Sequence, residues 1–240
     1  MNPYELTVND TEKIALNDLF FSDENKAALA QTIKEHTYLE DLKKYNLQVD
    51  NKILLHGHSG CGKTTTAKAI ATALNKNIVI INLSTLINAK IGETSKNVKT
   101  IFDKAIREKA VLFLDEFDQI GKSRDSEDKD VAEMKRLVNT IIQLIDYFPT
   151  DSLLICATNH YHSIDTALLR RFQLKLKFEL PDEDQLDVYY DKILAPFPEH
   201  LQDIPRKYTI SYAEAKDYVN TTMKRQIIAE LELAHQKNRV

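Results

Sequence analysis

The chain has 240 residues, of which 43% are hydrophobic and 28% charged, with a formal net charge of −4. That length houses one α/β domain with a small appendage, and a core of that size is self-sufficient. The slightly acidic balance argues against a nucleic-acid surface as the main business of the chain. No apolar run approaches the roughly 18 residues needed to span a bilayer, and the polar start Met1-Asn2-Pro3-Tyr4-Glu5 lacks a signal-peptide pattern.

In chain order, residues 1 to about 21 read as an irregular lead-in, and Ser22 with Asp23 and Glu24 opens a helix running through Leu29 and Ile33 towards Leu42. Lys52-Ile53-Leu54-Leu55-His56 is an apolar strand. It is followed by Gly57-His58-Ser59-Gly60-Cys61-Gly62-Lys63-Thr64 and then by the alanine-rich helix start Thr65-Thr66-Ala67-Lys68-Ala69. The eight-residue stretch fits G-x-x-x-x-G-K-[ST] in the context its mechanism needs, strand before and helix after. Gly57, Gly60 and Gly62 let successive N–H groups turn inward towards phosphate oxygens. The helix N-terminus adds its dipole, Lys63 a positive charge, and the Thr64 hydroxyl a ligand for Mg²⁺. Residues from Gly57 to Thr65 therefore point to a bound nucleoside triphosphate, with Leu19-Phe20-Phe21 placed to approach its base. Cys61 reads either as a small residue filling the tight loop or as an oxidation-sensitive thiol beside a helix N-terminus. Cys61 and Cys156 are the only cysteines, so a disulfide framework is implausible and a reducing cytoplasm fits.

Asn77-Ile78-Val79-Ile80-Ile81-Asn82 is a second buried strand, and two helical pieces follow over about 84–107. Val111-Leu112-Phe113-Leu114 reads as a strand buried on both faces, and Asp115-Glu116 stand at its C-terminal end, where open α/β sheets bind ligands. Asp115 is the partner of Thr64 for Mg²⁺, through water, which leaves Glu116 to polarise the attacking water. A charged run over 122–130 precedes a long helix from about Lys129 to Tyr147. Leu153-Leu154-Ile155-Cys156-Ala157 is a third buried strand; it ends in Thr158-Asn159, from where Asn159 can position the nucleophile by hydrogen bonding. Arg170 and Arg171 close a short helix, and Gln173–Phe178 alternates as a half-exposed edge strand. Beyond Pro181 lie a helix over Glu183–Leu194, a proline-punctuated stretch and two further helical segments. Ser211 and Glu214 form a capping box, and a packed face runs through Met223, Ile227, Ile228, Leu231 and Leu233. Five strands separated by helices make a parallel doubly wound sheet.

Phosphate loop, Asp-Glu strand, Ala-Thr-Asn ending and paired arginines, in this order and spacing, resemble the AAA+ ATPases, and within them the classical AAA group. The resemblance covers about Leu19 to Arg225. It implies a P-loop NTPase fold with strand order 5-1-4-3-2 and Walker A over Gly57–Thr64. It makes Glu116 the Walker B carboxylate beside Asp115, Asn159 sensor 1, and Arg171 the arginine finger directed at a neighbouring subunit, with Arg170 its companion. Asp146-Tyr147-Phe148 resembles an intersubunit signalling element with Tyr147 in place of glycine. The implied division is a lead-in and helix over 1–50, a nucleotide-binding core over 51–181 and a small helical lid over 182–240, in which Ala213 is the nearest counterpart of a nucleotide contact.

Such a family implies ATP and Mg²⁺ as ligands, a homo-hexamer or other ring formed in ATP, and work on a protein substrate or effector. Lys90-Ile91-Gly92 resembles the central pore loop, with Lys90 in the aromatic slot. A lysine grips unfolded chain less well than an aromatic and favours acidic partners. Threading and remodelling without threading both stay open, as does a nucleotide-controlled assembly switch or a clamp-loader-like DNA factor.

Overall fold

A computed structural model of the chain describes residues 8–10, 12–88, 91–122 and 129–237. Its elements run β1 (Val8–Asp10), α1 (Asp23–Thr37), α2 (Leu39–Lys43), β2 (Lys52–Gly57), α3 (Lys63–Ala73), β3 (Ile78–Asn82), α4 (Leu83–Asn88), α5 (Ile91–Arg107) and β4 (Val111–Asp115). They continue with α6 (Gln119–Lys122), α7 (Lys129–Asp146), β5 (Leu153–Thr158), α8 (Thr166–Leu169), β6 (Leu174–Phe178), α9 (Glu183–Leu194) and α10 (Tyr212–Lys237). The chain divides into two compact units. One holds residues 1–57 and 63–178, the other residues 58–62 and 179–240.

In the first unit the sheet order is β1-β3-β4-β5-β2-β6. The five strands from β2 onward are mutually parallel, and their order is the one expected from the sequence. Two of them, β4 and β5, consist almost wholly of buried apolar residues, and β2 carries the buried run Ile53–Leu55, because helices cover both faces of a parallel sheet. One difference lies at the N-terminus. Residues 8–10, read from sequence as irregular, form a short strand antiparallel to β3. Its pairing covers a sheet edge that would otherwise present unpaired backbone groups.

Helix α1 starts where Ser22 caps it, the Ser22 hydroxyl accepting from the Asn25 N–H at 3.2 Å. Helices α5 and α7 pack against each other and supply stripes at helical spacing, Val98, Ile101, Phe102 and Ala105 from one, Leu137, Val138, Ile141 and Ile145 from the other. These join Leu112, Leu114, Leu154, Cys156 and Phe117 in one core. Phe117 meets Phe172 edge to face at 5.3 Å between centroids.

The second unit has its own core, in which Leu186, Tyr190 and Leu194 of α9 meet Leu201, Ile204, Ala215, Val219 and Met223. Asp182 and Gln185 form a reciprocal capping box at the start of α9. Ser211 and Glu214 do the same for α10: the Glu214 N–H donates to Ser211 Oγ at 3.3 Å and the Ser211 N–H to Glu214 Oε2 at 2.8 Å. The sequence reading of two helical segments here is corrected: α10 is one continuous helix of 26 residues. The apolar face expected to pack runs out as well, since Ile228, Leu231 and Leu233 are all exposed. Among the described residues, no helix is long and apolar enough to cross a membrane.

Candidate nucleotide site

β2 enters the site between β5 and β6 with its central residues Ile53–Leu55 buried, and ends at Gly57. There φ is +128°, and an added Cβ would sit 1.9 Å from the Phe178 carbonyl oxygen on β6. A side chain is therefore excluded by backbone packing as well as by conformation. Lys63, a residue 8% exposed, opens α3, and its ammonium group donates to the Gly57 carbonyl at 2.9 Å across the turn. Within the loop, Gly60 is in the left-handed region and its carbonyl accepts from the Ala213 N–H at 3.2 Å. Cys61 is buried, its thiol directed at the Ser59 carbonyl at 3.7 Å, as suits a space-filling residue. His58 and Ser59 are exposed and Thr65 is half-buried.

The Thr64 hydroxyl, in the first turn of α3, faces Asp115 at the end of β4, Oγ1 to Oδ2 at 3.4 Å. Burial pushes the Asp115 carboxyl above its usual range, and the neighbouring Glu116 pushes it further. The Glu116 N–H, Lys63 and Thr64 oppose the shift. The half-buried Asp115 carboxylate beside the Thr64 hydroxyl offers hard oxygen donors of the kind that fit Mg²⁺. Glu116 has φ +56°, a left-handed conformation that costs free energy in a non-glycine residue. It is held there from both sides. Its N–H donates to Asp115 Oδ1 at 2.9 Å, and the next N–H, of Phe117, donates to the Ala157 carbonyl on β5 at 2.8 Å.

β5 lies beside both β2 and β4, so its exit delivers Asn159, which is exposed, between the ends of those strands. His56 stacks on Tyr161 at 4.2 Å between centroids. Burial lowers its pKa, and Lys177 and Lys63 lower it further, which favours the neutral imidazole beside the phosphate loop. Arg170 is exposed at the end of α8. Arg171 forms a two-pronged pair with Asp146, Nε to Oδ1 at 2.7 Å and Nη2 to Oδ2 at 3.0 Å, and a further bond to the Ala167 carbonyl. Two residues singled out separately in the sequence thus meet in one chain, and Tyr147, next in sequence to Asp146, is 86% exposed. Lys90 of the pore-loop reading lies outside the described residues, as do residues 123–128 of the charged run, while Ile91 and Gly92 open α5.

Two residues at this site went unassigned from sequence. Asp118 and Thr158 are 2% and 1% exposed and bonded to each other, Thr158 Oγ1 to Asp118 Oδ1 at 2.9 Å. Their only sequence signals are a second carboxylate three residues after Asp115 and a hydroxyl immediately before Asn159.

Comparisons with known proteins agree with this architecture. Relatives include an uncharacterised AAA family ATPase of Sinorhizobium fredii, 35% identical over 166 residues that make up 69% of this chain and 50% of the relative. Another is the proteasome-activating nucleotidase of Methanopyrus kandleri, 30% identical over 187 residues, 75% of this chain and 43% of the relative. The chain thus spans about half the length of the curated relatives it matches. Among solved structures, the FIGL-1 AAA domain superposes with a TM-score of 0.76 at 22% identity, covering 96% of this chain and 80% of that one, which is a likeness of fold. The family model "ATPase family associated with various cellular activities (AAA)" matches residues 53–180, more than half of the chain, and the protein belongs to that AAA family.

Proposed function

We propose that the protein hydrolyses ATP, at sites shared between neighbouring copies in a ring, and uses the cycle to remodel or translocate a protein partner. The observation that carries the reading is the pairing of Thr64 with Asp115 next to the left-handed Glu116, with Lys63 folded into the phosphate loop. In this reading the backbone from Gly57 to Thr65 cradles the phosphates and Lys63 offsets their charge. Thr64 and Asp115 hold Mg²⁺, which when bound neutralises charge on the phosphate oxygens. Glu116 takes a proton from the water whose oxygen bonds to the γ-phosphorus as the bond to the ADP oxygen breaks. Asn159 fixes the direction of approach. Arg171, with Arg170 beside it, offers positive charge to the phosphate of the adjoining copy. The name of the Methanopyrus relative supports a protein partner, and Cys61 and Cys156, both buried and not joined in a disulfide, are compatible with a reducing cytoplasm.

Residues 51–181 serve as the nucleotide-binding core in this reading, and 182–240 as the lid. The decisive variant is Glu116→Gln, which keeps shape and removes the base. It should bind ATP and Mg²⁺ normally, stall hydrolysis and accumulate as an ATP-bound assembly by mass measurement. Turnover near the wild-type rate would remove Glu116 from the chemistry. Stimulation of the wild type by DNA rather than by unfolded protein would move the partner to nucleic acid.

A further inference from the structure

The ladder between β4 and β5 ends at the pair Leu114 and Cys156. Beyond it the two chains diverge, one into Glu116 and the other into Asn159, so regular sheet pairing no longer sets the distance between these two side chains. Two bonds bridge the gap. The Phe117 N–H reaches back to the Ala157 carbonyl, and the Thr158 hydroxyl donates to Asp118. The same Thr158 oxygen accepts from the His160 N–H at 2.9 Å, which closes a tight turn around Asn159. Both partners are almost wholly buried, where water cannot compete for the bond. Asn159 is exposed at the tip of that turn, and Glu116 stands in a strained conformation two residues before Asp118.

We propose that Asp118 and Thr158 are a positioning pair for hydrolysis: their hydrogen bond locks the turn that carries Asn159 to the strand end that carries Glu116. The inference rests on the reading of Glu116 and Asn159 given above. Neither residue of the pair touches the reacting atoms. They act by fixing where the proton acceptor and the water-orienting amide stand, and misplacement of such groups by about 1 Å can cost about a hundredfold in rate. ATP affinity, set mainly by the phosphate loop, is not their business.

The test compares Thr158→Ala with Thr158→Ser in the full chain, two variants that differ by one hydroxyl oxygen. Thr158→Ala should bind ATP with wild-type affinity by calorimetry and lose about tenfold to a hundredfold in kcat. Thr158→Ser should recover most of that loss. Asp118→Ala should also lower kcat at unchanged ATP affinity, and the double variant should lose less than the product of the two single losses, since both remove the bond the pair shares. A residue that only supports the fold would lower Tm and leave kcat per folded molecule unchanged. If Thr158→Ala does not fold, the isosteric Thr158→Val replaces it with the same expectation. Glu116→Gln runs in parallel. If it turns over normally, the reading of Glu116 fails. If it is inactive while the folded Thr158 variants keep wild-type kcat, the positioning pair is overturned and the reading of Glu116 stands.

Discussion

Arg171→Ala separates a structural arginine from a shared active site, because the structure bounds one effect and the chemistry the other. The side chains of Arg171 and Asp146 are 28% and 40% exposed. Hydrogen bonding by Asp146 keeps the guanidinium firmly charged, yet solvent screens a pair of that exposure. Such pairs contribute about 0–1 kcal/mol to stability. Removing the guanidinium should therefore lower Tm by at most about 4 °C in a chain of this size. If the same group stabilises the transition state of a neighbouring copy, its loss costs about 10³–10⁵ in rate, or roughly 4–7 kcal/mol. The two outcomes differ by several kcal/mol, so they cannot be confused. We expect Arg171→Ala to melt close to the wild type, bind ATP normally by calorimetry and lose nearly all turnover. Mixing it with Lys63→Ala subunits should restore activity, since an intact phosphate loop from the first then meets an intact arginine from the second. Mixed assemblies that demonstrably form and yet hydrolyse nothing would show that Arg171 acts within its own chain or has no part in the chemistry.

Lys63→Ala by itself should abolish tight ATP binding, because it removes the one ammonium folded into the phosphate loop; an unchanged calorimetric affinity would defeat that assignment. Gly57→Ala should destabilise by about 3 kcal/mol or more and lower Tm by roughly 6–12 °C, since its Cβ would meet the β6 backbone at 1.9 Å. Gly62→Ala, at φ +94° but with open space around the added methyl, should cost about 1–2 kcal/mol for the backbone alone, so equal melting temperatures for the two variants would contradict the packing argument. Stability should also fall as pH drops below about 6.5. Burial holds His36 below its ordinary value of 6.5, while the Asp50 carbonyl opposes the shift, so the unfolded chain gains the proton first. The contribution is fully present above the unfolded pKa and is lost as pH falls towards the folded one. His36→Gln should flatten part of that slope in Tm measured against pH, and an identical slope would assign the acid sensitivity elsewhere.

Much of the core was legible in the residues because its physics is local. A strand buried on both faces shows as an unbroken apolar run, which is how β2, β4 and β5 stand out as Ile53–Leu55, Val111–Leu114 and Leu153–Ala157. A phosphate loop needs glycines, a lysine and a hydroxyl at set spacing, so Gly57 to Thr64 announces itself. Caps are equally local, and Ser22, with Ser211 and Glu214, marked helix starts correctly. Val8-Asn9-Asp10 carries no such signal. Three residues have no readable period, and their strand exists only because β3 offers an edge for them to cover. The distal part of α10 misled for the opposite reason: Ile228, Leu231 and Leu233 repeat like a packed face, but the core of their unit ends near Met223 and Ile227.

Side-chain partnerships across the sheet are beyond any local pattern. Thr64 and Asp115 are 51 residues apart, Asp118 and Thr158 are 40 apart, and Asp146 and Arg171 are 25 apart. Each pair meets only because strand order sets β4 beside β5 and β5 beside β2, or because a helix end and a later turn converge. The motifs and their spacing, through the family resemblance they carry, were enough to place this chain in the AAA family and to single out the residues expected to carry its chemistry. Tertiary structure alone decided how those residues are held, since register between strands, and not adjacency in the chain, sets the distances on which orientation depends.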